Sequence, residues 1–292
     1  VGASGQSLAS MLDGMGVQNH WLRAAGCASN CYLVNWQTGD VSGNLSPQPD
    51  CTASNFMKVT EGDTFCSSFV SAVVWKSGTT LGTKEIPFLH PFNSKYTAAY
   101  GSDGQCAPRD YLSDYQQDWL QGKTPAIPSG WDYGTIPSGD GWKALQGDSA
   151  DSMVNAQNYA NQGYLVVASY KYPLFAQGNK KPGHVTVVYP MEKDPGVIST
   201  EGPEVISAGW DNSPKTSLKD AYKHHSCYYA NSLCQAGTTC GTTSTSSCND
   251  PSGNPVGSCA YCQNDPHGNP MGAWESMQGS NPYVLFFYYA IE

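Results

Sequence analysis

Apolar residues recur at helical spacing near the start of the chain. Leu8, Met11, Leu12 and Met15 fall on one side of a short helix predicted over residues 5–15. A second helix is predicted over 64–77, with Phe65, Phe69, Val70, Val73 and Val74 on its apolar side. Asp63 or Thr64 can cap its start and Gly78 can stop it. Residues 108–120 read as a helix that opens on Pro108 and ends before Gly122, and residues 149–162 as another, between Ser149 and Gly163. The pattern then changes to short runs with the length and β-branched content of strands, at 164–170, 184–189 and 204–208. Residues 216–225 look helical, and 283–291 form a final, strongly apolar strand. Helices first and strands afterwards predict an α+β fold with an antiparallel sheet.

Between these elements the chain is rich in turns. Residues 26–55 and 122–148 read as loops, the second long enough to suggest a functional role. Residues 227–280 hold almost no aliphatic side chains but six cysteines: Cys227, Cys234, Cys240, Cys248, Cys259 and Cys262. They also contain an internal echo, with Asn-Asp-Pro-x-Gly-Asn-Pro starting at Asn249 and again at Asn264, which reads as two tandem turns. Such a segment cannot bury a core of its own, so it is expected to be an insertion stapled by disulfides within a single domain spanning 1–292. Cys259-Ala-Tyr-Cys262 has the spacing of half a zinc site, but an oxidising context favours disulfides there.

That context comes from the cysteine count. The chain has 292 residues and 11 cysteines, so one thiol has no partner within the chain. Ten lie in Gly-, Ser-, Asn- and Pro-rich loops, with Cys27, Cys31, Cys51 and Cys106 expected to make the two bonds outside the insertion. The exception is Cys66, in the first turn of the predicted helix at 64–77, where a helix N-terminus stabilises a thiolate. The alternative is a buried structural thiol, or a half-cystine with another cysteine left over. A chain beginning at Val1 and carrying one sequon, Asn44-Leu-Ser46, fits a secreted protein trimmed of its signal peptide. Charged residues make up only 13%, and the formal net charge is -9, which argues against a nucleic-acid partner because a phosphate backbone needs a basic face. No apolar run is long enough to span a membrane.

A cysteine nucleophile needs a base, and the base needs an orienting group. Five of the six histidines, His20, His90, His224, His225 and His267, read most simply as surface or cap residues. His184 differs, because it opens a strand directly after Pro182-Gly183 and is held at the strand's mouth. The following strand ends in Ser207-Ala-Gly-Trp-Asp-Asn212, and strands about 4.8 Å apart would let a polar side chain at that end reach the imidazole.

Cys-Ser-Ser-Phe-Val at 66–70, at a helix start, resembles the Cys-Ser-Gly-Phe-Val of NlpC-like peptidases. Gly-His-Val-Thr-Val-Val at 183–188 is similar to the histidine strand of NlpC-like and CHAP-like enzymes. The resemblance covers roughly residues 60–215 and the final strand. The chain departs from these families at Phe65, where many have Asp, and at Thr60, where papain-like peptidases place a Gln. The resemblance implies a papain-like fold and hydrolysis of an amide bond in bacterial peptidoglycan. Cys66 would be the nucleophile and His184 the base, with Asn212 as orienting residue and Asp211 as runner-up. Asp63, Asn19, His20, Trp21 and Trp210 are expected to border the site. No cofactor or metal is implied, the partner is a cell-wall peptide, and a monomer is expected. A general secreted cysteine peptidase, an acyltransferase on the same scaffold and a non-enzymatic, disulfide-rich adhesion or effector protein remain as alternatives.

Overall fold

The computed structural model describes residues 1–21, 32–39, 41–42, 56–59, 66–90, 113–125, 136–146, 149–171, 183–209, 212–222, 247–249, 255–258, 273–277 and 283–291. The architecture is α+β. Its centre is an antiparallel sheet of six strands, in the order β4 (Lys143–Ala144), β11 (Val284–Tyr289), β5 (Leu165–Tyr170), β6 (His184–Val188), β7 (Glu204–Ser207) and β8 (Ser213–Ser217). The two inner strands β5 and β6 are buried along their whole length, which explains why both read as nearly unbroken apolar runs. Smaller ladders join β1 (Tyr32–Asn35) to β2 (Val41–Ser42) and β3 (Phe56–Val59), and β9 (Ser247–Asn249) to β10 (Pro255–Ser258).

Each face of the large sheet is covered by its own helices. On one face α1 (Ala3–Asp13), α2 (Cys66–Thr80) and α3 (Ser113–Leu120) pack with Leu165, Val167, Val185, Val187, Ile206 and Phe287. On the other, α4 (Ser149–Asn161), α5 (Pro195–Glu201), α6 (Leu218–Tyr222) and α7 (Ala273–Ser276) pack with Val166, Ala168, Tyr170, Val188, Val205 and Phe286. The alternation is the two-residue period of a strand buried on both sides.

Several expectations are corrected. Gly78 does not stop α2, which continues to Thr80; a Cβ there would meet Ile86 N and Lys84 O, each at 2.9 Å, so the glycine admits the chain that follows the helix. Residues 213–217 form edge strand β8 before the short helix α6, and α5 was not anticipated. Residues Ala273, Trp274 and Met277, within the segment expected to bury no core, join the second cluster. The disulfide pairing expected for the ten other cysteines falls on side chains outside the described residues, as do the cap residues Asp63 and Thr64. Among the described residues no helix is long and apolar enough to cross a membrane.

One half-buried histidine, its ring nitrogens shielded from water, gives a pH prediction. His90 stacks on Trp36 at 5.2 Å and tilts against Phe88, and among the described residues neither ring nitrogen has a hydrogen-bond partner. Burial therefore pushes its pKa down to about 4; a Ser71 backbone group opposes this only weakly, since its approach does not meet hydrogen-bond geometry. The unfolded chain takes up this proton first, near pH 6.5, so the contribution is complete above that pH and is lost as pH falls toward 4. The loss should reach about 3 kcal/mol. Urea denaturation from pH 7 to 4 should show His90→Phe losing less stability than the parent by about that amount; parallel curves would refute the assignment.

Candidate functional site

Cys66 is the first residue of α2, is only 2% exposed and takes part in no disulfide. Its helix is narrow where it meets its neighbours, because Ser67, Ser68, Ser71 and Ala72 are small and buried. The Gln116 amide of α3 donates to Ser67 O at 3.2 Å, Ser71 Oγ at 3.2 Å and Leu89 O at 3.3 Å, which fixes the first turn of α2 against α3. Helix α2 in turn packs on β6, the strand that His184 opens.

The mouth of β6 is tightly set. Gly183 donates its N–H to the buried Asp114 carboxylate at 2.7 Å. A Cβ on Gly183 would run into Tyr170 O and come within 3.1 Å of Asp114 Oδ1, so only glycine fits. His184 follows, 2% exposed, directly across the ladder from Tyr170. Its Nε2 lies 3.0 Å from Ser207 Oγ, and its ring meets the Tyr222 ring edge-on at 5.0 Å. Pairing of Val187 with Ile206 continues to bring Gly209 opposite His184, where a Cβ would stand 3.0 Å from Cε1. The Tyr222 hydroxyl donates to Ala168 O at 2.8 Å and lies 3.3 Å from Thr186 Oγ1. Burial pushes this phenol far above its ordinary range; Thr186 pulls it back, and the charge of Cys66 pushes it up again. Thiol and imidazole thus share one electrostatic neighbourhood through Tyr222.

The imidazole and the core valines of its own strand face opposite ways. Val185 and Val187 pack in the core that contains Cys66, whereas His184 alternates with them onto the side of Tyr170 and Tyr222.

Of the expected site residues, two meet corrections. Asn212 does not orient the ring: its Nδ2 donates to Val17 O at 2.9 Å and His20 O at 2.7 Å, and its Oδ1 accepts from Gly209 N at 3.0 Å. Ser207, in the same polar stretch, holds the imidazole instead. Trp21 is not a cleft wall but a core residue, 1% exposed, with Nε1 donating to Trp36 O at 3.1 Å. Asn19 is exposed at the surface turn before it, and His20 is half-buried, its backbone carbonyl rather than its ring bonded to Asn212. Asp63, Trp210 and Asp211 lie outside the described residues. Among the described residues no group of three or more His, Cys, Asp or Glu side chains is placed to hold a metal ion. Comparison with models of protein families, with curated proteins and with solved structures finds no match to this chain.

Proposed function

We propose that the chain is a secreted cysteine amidase of papain-like arrangement that cleaves peptide amide bonds of bacterial cell wall through a thioester. The observation that carries this reading is the packing of a helix that begins with Cys66 on a strand that begins with His184, whose Nε2 is engaged by Ser207. The N-terminal end of α2 favours the thiolate. With Nε2 on Ser207, Nδ1 is the atom that serves the thiol proton. The thiolate attacks the carbonyl carbon, and the C–N bond breaks as the imidazolium delivers its proton to the leaving amine. Water then cleaves the thioester, passing a proton to the imidazole and releasing the acid. The backbone N–H of Cys66 supplies a donor to the oxyanion.

The cell-wall substrate rests on the resemblance of the Cys66 and His184 segments to NlpC-like and CHAP-like enzymes. A disulfide-stapled 227–280 segment and extracellular localisation belong to the same proposal. The test is to follow new amino groups from purified peptidoglycan and, separately, from casein. Release from peptidoglycan alone supports the proposal. Release from casein alone makes the chain a general peptidase, and release from neither with a reactive Cys66 makes it an acyltransferase. Ser207→Ala is expected to slow turnover on the order of 10–100-fold, because the imidazole loses the hydroxyl that holds its angle while the dyad remains. An unchanged rate removes Ser207 from the mechanism.

One observation favours a second reading. The imidazole lies on the sheet face opposite the valines that pack with Cys66. On that ground the thiol is a core group, and the chain a non-enzymatic, disulfide-rich adhesion or effector protein. An unreactive Cys66 in the native protein selects this reading.

A further inference from the structure

We infer that residues 17–21 form a strut between the helix of Cys66 and the imidazole of His184, with Asn212 as its joint; this rests on the hydrolase reading above. The strut links two elements, because the valines that pack in the core of Cys66 face the sheet side opposite His184. At one end of the strut Trp21 packs edge-on against Phe69 at 5.2 Å, one turn along α2 from Cys66. Trp21 takes a φ of 55, a costly conformation for a bulky side chain and the only such non-glycine residue among those described. That conformation is held by its N–H donating to Gly39 O at 3.0 Å, by the Nε1 bond to Trp36 O at 3.1 Å, and by Gly39, which leaves no room for a Cβ against the indole. At the other end the carbonyls of Val17 and His20 take both Nδ2 hydrogens of Asn212, 195 and 192 residues away in sequence. The Oδ1 of the same amide receives the N–H of Gly209, where an added Cβ would stand 3.0 Å from Cε1 of His184. Three backbone groups thus meet in one side chain. Asn212 is a positioning residue acting through Gly209, not a group on the ring.

Asn212→Ala and Asn212→Asp separate these roles. Aspartate keeps an acceptor for Gly209 N but loses both donors, so it cannot hold Val17 and His20. A carboxylate that oriented the ring directly would serve as well as the amide. The readouts are amine release from peptidoglycan and the NMR titration and tautomer of the His184 ring, with near-UV circular dichroism as the check on folding. Both variants are expected to lower kcat on the order of 10–100-fold with KM little changed, and both to shift the His184 titration. Parental kcat and titration in Asn212→Asp, or in both variants, would overturn the inference. If Asn212→Ala does not fold, Asn212→Asp carries the test alone: a lowered kcat with a shifted titration is expected, and a parental kcat and titration overturn the proposal. Amine release that survives Cys66→Ala would instead defeat the hydrolase reading, and the ring titration still reads the strut in that case.

Discussion

Cys66→Ala is expected to abolish amine release from peptidoglycan, by at least about 10⁴-fold, while the protein stays folded. The activity loss follows because the carbonyl then has no nucleophile and the thioester cannot form; water in its place would lack covalent catalysis. The stability side follows from what the sulfur does in the fold. It occupies a buried place at the start of α2, but it closes no disulfide, and the first turn is fixed by the Gln116 amide rather than by the thiol. Losing one buried atom should cost about 1 kcal/mol. Thermal melts and amine release on the same preparation check both halves. Residual activity above about one hundredth of the parent would place the nucleophile elsewhere.

Gly183→Ala is the second large effect, and here stability and activity should fall together. The added methyl overlaps Tyr170 O, a backbone atom of the neighbouring central strand, and also crowds the Asp114 carboxylate that accepts the Gly183 N–H. Neither can swing away as a flexible side chain would, so the strand mouth must move, at a cost of about 3 kcal/mol. That movement displaces His184, the next residue, and turnover should drop on the order of 10²-fold in the fraction that remains folded. Gly122→Ala is the control. Gly122 has a φ of 73 but nothing near its Cβ position, so only the backbone conformation is penalised, by about 1 kcal/mol. Equal denaturation midpoints for the two variants would contradict the steric account.

What the sequence shows and what it hides follow burial. Strands β5, β6 and β11 are legible because central strands covered on both faces must be apolar along their length. Strand β8 is hidden because Ser213-Pro-Lys-Thr-Ser217 lies at the sheet edge, where proline is tolerated and few residues are buried. Helix α5 buries only Ile198 and so shows no periodicity; its signal was the cap, Asp194 accepting from Gly196 N at 2.8 Å with Pro195 at the first position. At the site, Cys66 stands out by the odd cysteine count and His184 by its place at a strand mouth. Choosing among Ser207, Asp211 and Asn212 needs register. Pairing of Val187 with Ile206 points Ser207 and Gly209 to the face of His184, while the shift between Val205 and Ser207 in the β8 ladder belongs to three-dimensional structure alone. Trp21 misleads for a related reason: nothing in Asn19-His20-Trp21 announces that Gly39 and Phe69 close over the indole.

The central claim is that the Cys66 thiol and the His184 imidazole work as one unit. The most direct measurement is the pH dependence of iodoacetamide alkylation at Cys66, followed by mass spectrometry in the native protein and in His184→Ala. The account predicts that Cys66 of the native protein alkylates with an apparent pKa well below the ordinary value of about 8.5, and that removing the imidazole returns the profile to about 8.5 or above. Superimposable profiles, or a Cys66 that is not alkylated in the native protein at any pH where the fold persists, would contradict it.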